Sequence, residues 1–385
     1  MLRLKQAGLS VVAILLVLGI ELASPWPAAA CEDGRAPSGP DARSATGGDC
    51  HHRPQYTVPV TQIEPGGNIV WYDGHYYMPV KSRSEPRIRM AKARWLKDFA
   101  AIEDNAAIKA QKVVWEGADT AADAFINWPV MLTRLHGRWY IYMDAASQNP
   151  PMLTDRLMVL QADTDDPMGS WTLRTSLLGE DVWTLGFAPF EWQGQLYIMA
   201  STRKNHTPGT RHGISIASLT NPWTASSEWV PITDPTYAWE MMGPLGPGTA
   251  AINEVDQAIT HNGRLHVFYS ASHVTSQHYT VGLLTYQGSG SLLDRDNWTK
   301  RPRPIWNNTD ATVGAGQTFV LKSPDSSQDY LGYAYWRTST RLSPRPMGVV
   351  PIKWDANDYP VVDDPPDDGT QFDEPSKLAD QPSPP

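Results

Sequence analysis

Between residues 54 and 360 the side chains alternate along short runs with a period of two, and turn signals close each run. THNGRLHVFYSAS (260–272) shows the unit. After the turn Asn262-Gly263, residues Leu265, Val267 and Tyr269 fall on one side, and His266, Phe268 and Ser270 on the other. A period of two marks a β-strand, because successive side chains leave opposite faces. Two-residue turns ending in glycine between such runs predict hairpins. The unit recurs as VWYDGHYYMPV (70–80), TRLHGRWYIYMDAA (133–146) and FEWQGQLYIMAS (190–201). The turn glycines Gly74, Gly137, Gly194 and Gly263 stand about 60 residues apart. A fifth unit, GQTFVLKSPDSSQDYLGYAYW (316–336), places a Ser-Pro-Asp-Ser turn between two strands. Five such units predict an all-β fold, a five-bladed β-propeller with four-stranded blades around a central channel. Only 100–112 reads as helical, and that helix is expected to be short.

The two ends differ in composition. Residues 1–30 carry Arg3 and Lys5, an apolar run from Leu9 to Leu22, and Ala28-Ala29-Ala30. That is the layout of a secretory signal peptide, and its run is too short for a comfortable membrane span. A secreted or periplasmic protein is expected. Cys31 follows the alanines, and two fates stay open for it. One is a lipid anchor, making a membrane-attached lipoprotein; the other is a disulfide with Cys50, which an exported compartment permits. Residues 31–53 are rich in Gly, Ser, Pro and Asp and read as a flexible leader. Its Cys50-His51-His52 run lacks a fourth metal ligand. Residues 363–385, rich in acids and prolines, read as a disordered tail. The folded domain is expected over 54–362, as a monomer. The net charge of −9 comes partly from the tail, and no basic stripe is present, which argues against a nucleic-acid partner.

Sixteen Trp and fifteen Tyr against seven Phe favour rings with a polar handle. Such rings stack on sugars as well as fill cores. Trp71, Trp128, Trp183 and Trp239 are the candidate stacking faces, whereas Trp139 and Trp192 read as blade core. His266 and His273 read as structural, because no cluster has metal-ligand spacing.

The phrases that link the hairpins resemble those of glycoside hydrolase family 43, especially its arabinofuranosidase-like branch. They are DRLMVLQADTDDPMGSWT (155–172), SLTNPWT (218–224), DPTYAWE (234–240), INEVDQ (252–257), GLLTYQGSGSLLDRDNWTK (282–300), VGAGQTFVLKSPD (313–325) and PIKWD (351–355). They follow the family's order across nearly all of 54–360. The resemblance implies a carbohydrate substrate containing arabinose, xylose or galactose, and a pocket on the propeller axis. It also implies an inverting hydrolysis, in which one carboxylic acid protonates the leaving oxygen and an opposed carboxylate activates water. A third carboxylate tunes the acid. No cofactor is required, and a structural ion or water cluster on the axis is compatible with the pattern.

Position by position the match is uneven. The family's Ile-x-Glu-Gly-Pro-Gln phrase reads Ile252-Asn253-Glu254-Val255-Asp256-Gln257, so the general acid, Glu254, is kept. The base position, eight residues before the hairpin glycine, is Gly66. The tuning Asp of Trp-Ala-Ile-Asp-Gly-Thr is Gly186. The Trp-Ala-Pro-Glu phrase keeps Trp128 and loses its Glu, and the axial His is Gln317. A β-1,3-galactan branch of the family is similar in having His-Gly-Gly where the base would be, so loss of that Asp does not by itself end catalysis. Glu64, two residues before Gly66, is the candidate replacement base. Asp256 would share a face with Glu254 and serve poorly as its opposed partner; with Gln257 and Gln317 it is expected to line the substrate pocket. Two readings result: a hydrolase acting through Glu254, or a sugar-binding propeller that has lost turnover.

Overall fold

The computed structural model describes residues 54–375 apart from 63–65, 82–86, 102–110, 118–123, 148–155, 177–182, 204–210, 249 and 338–344; the side chains of 124–128, 146–147, 175–176, 183 and 203 are also outside the description. The described chain is a five-bladed β-propeller. Blade 1 is the antiparallel set Val70–Tyr72, His75–Lys81, Arg87–Ala93 and Gln111–Glu116. Blade 2 is Ala124–Leu135, Arg138–Ser147, Arg156–Ala162 and Trp171–Ser176. Blade 3 is Trp183–Trp192, Gln195–Arg203, His212–Asn221 and Val230–Thr233, with Thr224–Ala225 on the same third strand. Blade 4 is Asn253–His261, Arg264–Ala271, Thr280–Tyr286 and Trp298–Lys300. Blade 5 begins with Val313–Lys322, Asp329–Trp336 and Met347–Pro351.

The expected hairpins form, and the turn residues explain them. Asp73-Gly74, His136-Gly137, Gln193-Gly194 and Asn262-Gly263 all have positive φ at both positions, from 44° to 79°. This is the type I′ geometry whose twist matches that of paired strands. The fifth turn is built differently: Asp325 Oδ1 accepts from the Ser323 and Ser327 hydroxyls at 2.7 Å each. The short helix expected at 100–112 is a 3₁₀ turn at Leu96–Ala101, and residues 102–110 lie outside the description.

Both faces of each inner hairpin are buried, which is why the sequence alternates one kind of bulky side chain with another. Five hydrophobic clusters fill the five spaces between neighbouring blades. Tyr77, Ile88 and Met90 of blade 1 meet Leu132, Ile141 and Leu160 of blade 2. Tyr140 and Tyr142 send their rings the other way, to Ile198 and Ala200 of blade 3. Met199 and Ile216 face Val267, Tyr269 and Leu284 of blade 4. Phe268 and Leu283 face Leu331, Tyr333 and Val350 of blade 5. Tyr76 and Met78 close the ring against Phe319, Leu321 and Met347. The middle strands of a blade therefore contribute to two cores, one through odd and one through even positions.

The ring is closed by the chain's early segment. Val60 N–H donates to Met347 O (2.8 Å) and Met347 N–H to Thr61 O (3.1 Å), which adds residues 60–61 to the free edge of blade 5. Gln55–Thr57 in turn pairs with Gln371–Asp373. This corrects the expected start of the tail at Asp363. Residues 363–375 pack on the propeller, with Val362 in the blade 4–5 core and the Glu374 carboxylate, 1% exposed, accepting from the backbone N–H groups of Leu96 and Lys97 at 2.9 Å each. Acidic and proline-rich composition concealed one buried carboxylate that caps two backbone amides. Residues 1–53 and 376–385 lie outside the description.

Glu374→Ala leaves those two amides without their acceptor. It should lower stability by about 2 kcal/mol or more, read as a drop in the urea midpoint, whereas Asp373→Ala on the exposed neighbour should change it little.

Candidate functional site

At the axis the inner strands of adjacent blades run side by side and touch through glycine. Gly67 bridges Val130 in parallel, and Val130 N–H donates to Gly66 O at 2.6 Å. Gly186 pairs in parallel with Val255, the residue after Glu254. Gly66 and Gly186 have φ of +78° and +76°, a region that side chains enter only at a cost. A Cβ on Gly186 would stand 2.6 Å from Val255 O, and one on Gly66 would stand 2.7–2.8 Å from Cγ, Cδ and Cε of the buried Lys81. The two positions where the resemblance calls for carboxylates are thus occupied by a close backbone contact and a lysine stem.

Glu254 begins the inner strand of blade 4, paired with Ser270. Its Oε2 accepts from Tyr279 Oη at 2.7 Å. Burial pushes its pKa up to about 7; the Asp256 and Asp144 charges push the same way, while the Tyr279 hydrogen bond and the Arg345 charge oppose them. Pairing then slips between Val255 and Gln257, so Asp256 is the extra residue of a bulge. The bulge aims Asp256 at blade 5, and its Oδ2 accepts at 2.7 Å from Thr318 Oγ1 there and at 2.7 Å from Ser270 Oγ of its own blade. Burial raises Asp256 to about 6, against the pull of the donors from Thr318 and Ser270 and of the Arg345 charge. Asp256 lines a cavity of about 30 Å³ together with Gly66, Asn68, Met131, Gln317 and Tyr333. That volume holds about one or two waters.

Gln317 stands at φ +55°, with its N–H on Ser270 Oγ (2.6 Å) and its Oε1 accepting from Arg345 Nη1 (2.9 Å). Arg345 is 3% exposed and its guanidinium lies over the Tyr279 and Trp336 rings at 5.5 and 5.7 Å. One buried cation therefore faces both carboxylates from blade 5. Among the described residues no three His, Cys, Asp or Glu side chains converge in a metal-holding group.

The structure brings Glu254, Asp256 and Gln317 together and disperses the other candidates. Gln257 Oε1 accepts from Val320 N–H at 2.8 Å, which ties blade 4 to blade 5. Trp71 packs edge-on to Tyr76 (4.8 Å) against the blade 1–5 core. Trp239 stacks on Tyr237 and Tyr269 and donates its Nε1–H to Pro302 O at 3.0 Å. Trp71 and Trp239 pack against the blade cores and do not line this cavity, Trp71 beside its strand partner Tyr76 and Trp239 in the turn Ala238–Glu240. Glu64 and the side chains of Trp128 and Trp183 lie outside the described residues. His266 is buried between Thr285 Oγ1 (2.9 Å) and Asp358 O (2.8 Å), and His273 Nδ1 meets Thr275 Oγ1 at 2.8 Å, both structural. Sequence reasoning missed Asp144, Tyr279, Arg345 and Lys81. Asp144 did leave a signal: an acid ends the otherwise apolar run of TRLHGRWYIYMDAA.

The sequence pattern of the glycosyl hydrolases family 43 matches residues 56–360, and the chain belongs to that family. An extracellular exo-alpha-(1->5)-L-arabinofuranosidase of Streptomyces chartreusis is 29% identical over 267 residues, 68% of this chain and 76% of its own length. A protein of the same description from Streptomyces avermitilis is 26% identical over 283 residues, 72% of this chain and 56% of its own. Among solved structures, the alpha-L-arabinofuranosidase from Lactobacillus brevis is similar with a TM-score of 0.69 at 25% identity, over 82% of this chain and 98% of that one. A thermostable family-43 glycoside hydrolase shares the fold with a TM-score of 0.64 at 18% identity. The chain is arabinofuranosidase-like within its family.

Two outcomes are expected from this geometry. Gly186→Ala meets the Val255 carbonyl as well as the φ cost of about 1–2 kcal/mol, whereas Gly194→Ala, at φ +79° in open space, meets the φ cost alone. Thermal unfolding should therefore show a clearly larger loss for Gly186→Ala. The second concerns pH. The folded pKa of Glu254 lies above its unfolded value of 4.5, so wild-type stability falls as pH rises from about 4.5 through 7. Glu254→Gln carries no such penalty. It should be more stable than wild type at pH 8 by up to about 3 kcal/mol and nearly equal to it at pH 4.5.

Proposed function

We propose that this family-43 chain is an exported glycoside hydrolase that cleaves O-glycosidic bonds in arabinose-, xylose- or galactose-containing glycans by inversion. α-L-Arabinofuranosides come first among its substrates, because the similar Streptomyces proteins are α-L-arabinofuranosidases. The observation that carries the reading is Glu254, an axial carboxyl pushed up to about 7 by burial and fixed by Tyr279. A group protonated near neutral pH, with one oxygen held by a donor, can give its proton to a leaving oxygen. Tyr279 occupies Oε2, so Oε1 is the oxygen assigned to proton delivery.

Water activation is assigned to Glu64, two residues before Gly66, which lines the axial cavity. An inverting pair requires it at roughly 6.5–9.5 Å from Glu254 across the sugar. Trp128 and Trp183, on the inner strands of blades 2 and 3, are the proposed stacking faces, and Gln317 and Asp256 the polar wall. The signal-like residues 1–30 and the extracellular relatives support export. The protein is taken as a monomer, with lipidation of Cys31 as the alternative to free secretion.

A second reading, a sugar-binding propeller without turnover, is favoured by Gly66 and Gly186, where no carboxylate can be accommodated without displacing its neighbours. Assays on 4-nitrophenyl pentosides and galactosides, arabinan and galactan separate the two. Hydrolysis predicts kcat/KM that falls above about pH 7 as Glu254 loses its proton. It also predicts inverted product anomers by NMR, and a loss of about 100-fold or more in kcat for Glu254→Gln and Glu64→Gln alike. No turnover on any substrate, with Glu254→Gln binding sugars as tightly as wild type, leaves the binding reading standing.

A further inference from the structure

Between blades 2 and 3 lies a carboxylate that the hairpin pattern does not call for. Asp144, near the end of Arg138–Ser147, is 0% exposed. Its Oδ1 accepts from Thr184 Oγ1 and its Oδ2 from Gly186 N–H, both at 2.9 Å. Both donors belong to the first residues of blade 3's inner strand. Gly186 in turn lies in parallel register with Val255. A chain of contacts thus leads from Asp144 through the Gly186 amide to the backbone beside Glu254. Position 186 has no room for a side chain, yet a carboxylate sits on its own amide hydrogen.

We propose that Asp144 is a positioning residue for Glu254: from blade 2 it supplies the negative charge that position 186 lacks, and it fixes the Gly186–Val255 contact that carries the acid. This rests on Glu254 being the functional acid. Asp144 has no solvent exposure and is absent from the cavity wall, so it acts through Glu254 and not on substrate or water.

The electrostatics run in the required direction. Asp144 disfavours ionisation of Glu254, as do burial and Asp256, whereas Tyr279 and Arg345 favour it. The hydroxyl and amide donors stabilise the charged form of Asp144 itself. Both Asp144 oxygens thus have donors, while burial and the neighbouring carboxylates push Glu254 toward its protonated form. A purely structural stitch between blades 2 and 3 needs the two hydrogen bonds and makes no demand on how Glu254 titrates.

The test follows the Glu254 carboxyl by ¹³C NMR in protein labelled at Glu Cδ, with Glu254→Gln to assign the signal. Asp144→Asn should keep the fold and lower the Glu254 midpoint by about half a pH unit or more. The alkaline limb of kcat/KM should move down by the same amount. An unchanged midpoint in folded Asp144→Asn overturns the proposal, whatever happens to activity. Should Asp144→Asn not fold, the wild-type protein decides: the Asp144 Cγ signal should respond at the Glu254 midpoint, and a flat signal there overturns the proposal. Because the titration needs no turnover, a wild type that hydrolyses nothing defeats the hydrolase reading and leaves this one to be decided on its own.

Discussion

The structure depends on how inner strands meet at the axis of a ring. Each blade packs on its neighbours through bulky side chains farther out, but near the axis the strands converge until backbone must approach backbone. Here that approach is made at Gly66-Gly67 against Val130 and at Gly186 against Val255. Gly186 shows how tight the contact is, since a Cβ there would fall 2.6 Å from Val255 O. Side chains that would have pointed into the pocket are excluded at these positions. The polar groups of the site accordingly come from the strand next along or the blade next door: Lys81 over Gly66, Asp144 on the Gly186 amide, Arg345 over Tyr279.

Polar side chains also stitch the blades where apolar packing ends. Asn68 exchanges two hydrogen bonds with the Leu132 backbone (2.8 and 2.9 Å), as a strand neighbour would. Ser201 accepts from Val255 N–H at 2.7 Å, and Gln257 from Val320 N–H. These bonds satisfy backbone groups that the splaying of the blades leaves without a ladder partner. Two of them hold Val255 and Gln257, just after Glu254, so the strand that carries Glu254 is tied to blades 3 and 5 together.

The fold was legible because its signals are local. Type I′ turns write themselves as Asp-Gly, His-Gly, Gln-Gly and Asn-Gly, and strands that serve two cores write themselves as alternation without a polar face. Glu254 could be singled out because its phrase kept a carboxylate, and the structure holds that carboxylate on Tyr279. Asp256 was placed on the same face as Glu254, but the bulge re-aimed it toward Thr318, and a bulge is a property of pairing that one strand does not spell out. Trp71 and Trp239 looked like sugar platforms because an indole reads alike in a core and in a cleft; only the positions of Tyr76, Tyr237 and Tyr269 distinguish the two. Asp144 and Arg345 reach the site from blades 2 and 5, so no spacing along the chain could join them to residue 254. Glu374 was hidden by the composition of its own segment.

If Glu254 is the acid, as proposed, what decides between hydrolysis and binding is the activation of water. Two described carboxylates act electrostatically on Glu254, and neither suits water activation. Asp144 has no solvent contact. Asp256 borders the small axial cavity, but its oxygens are engaged by two hydroxyls and the Thr318 backbone, which spends much of the basicity a water would need. It is also the bulge residue two positions from Glu254, whereas the inversion proposed needs an opposed carboxylate. The opposite wall is blade 1, where Gly66 carries nothing and Lys81 covers it. On the proposed hydrolase reading the base comes from the residues just before Gly66, where the sequence has Glu64. The question of turnover thus reduces to which way one side chain points, two residues from a glycine that cannot itself carry the base without displacing Lys81.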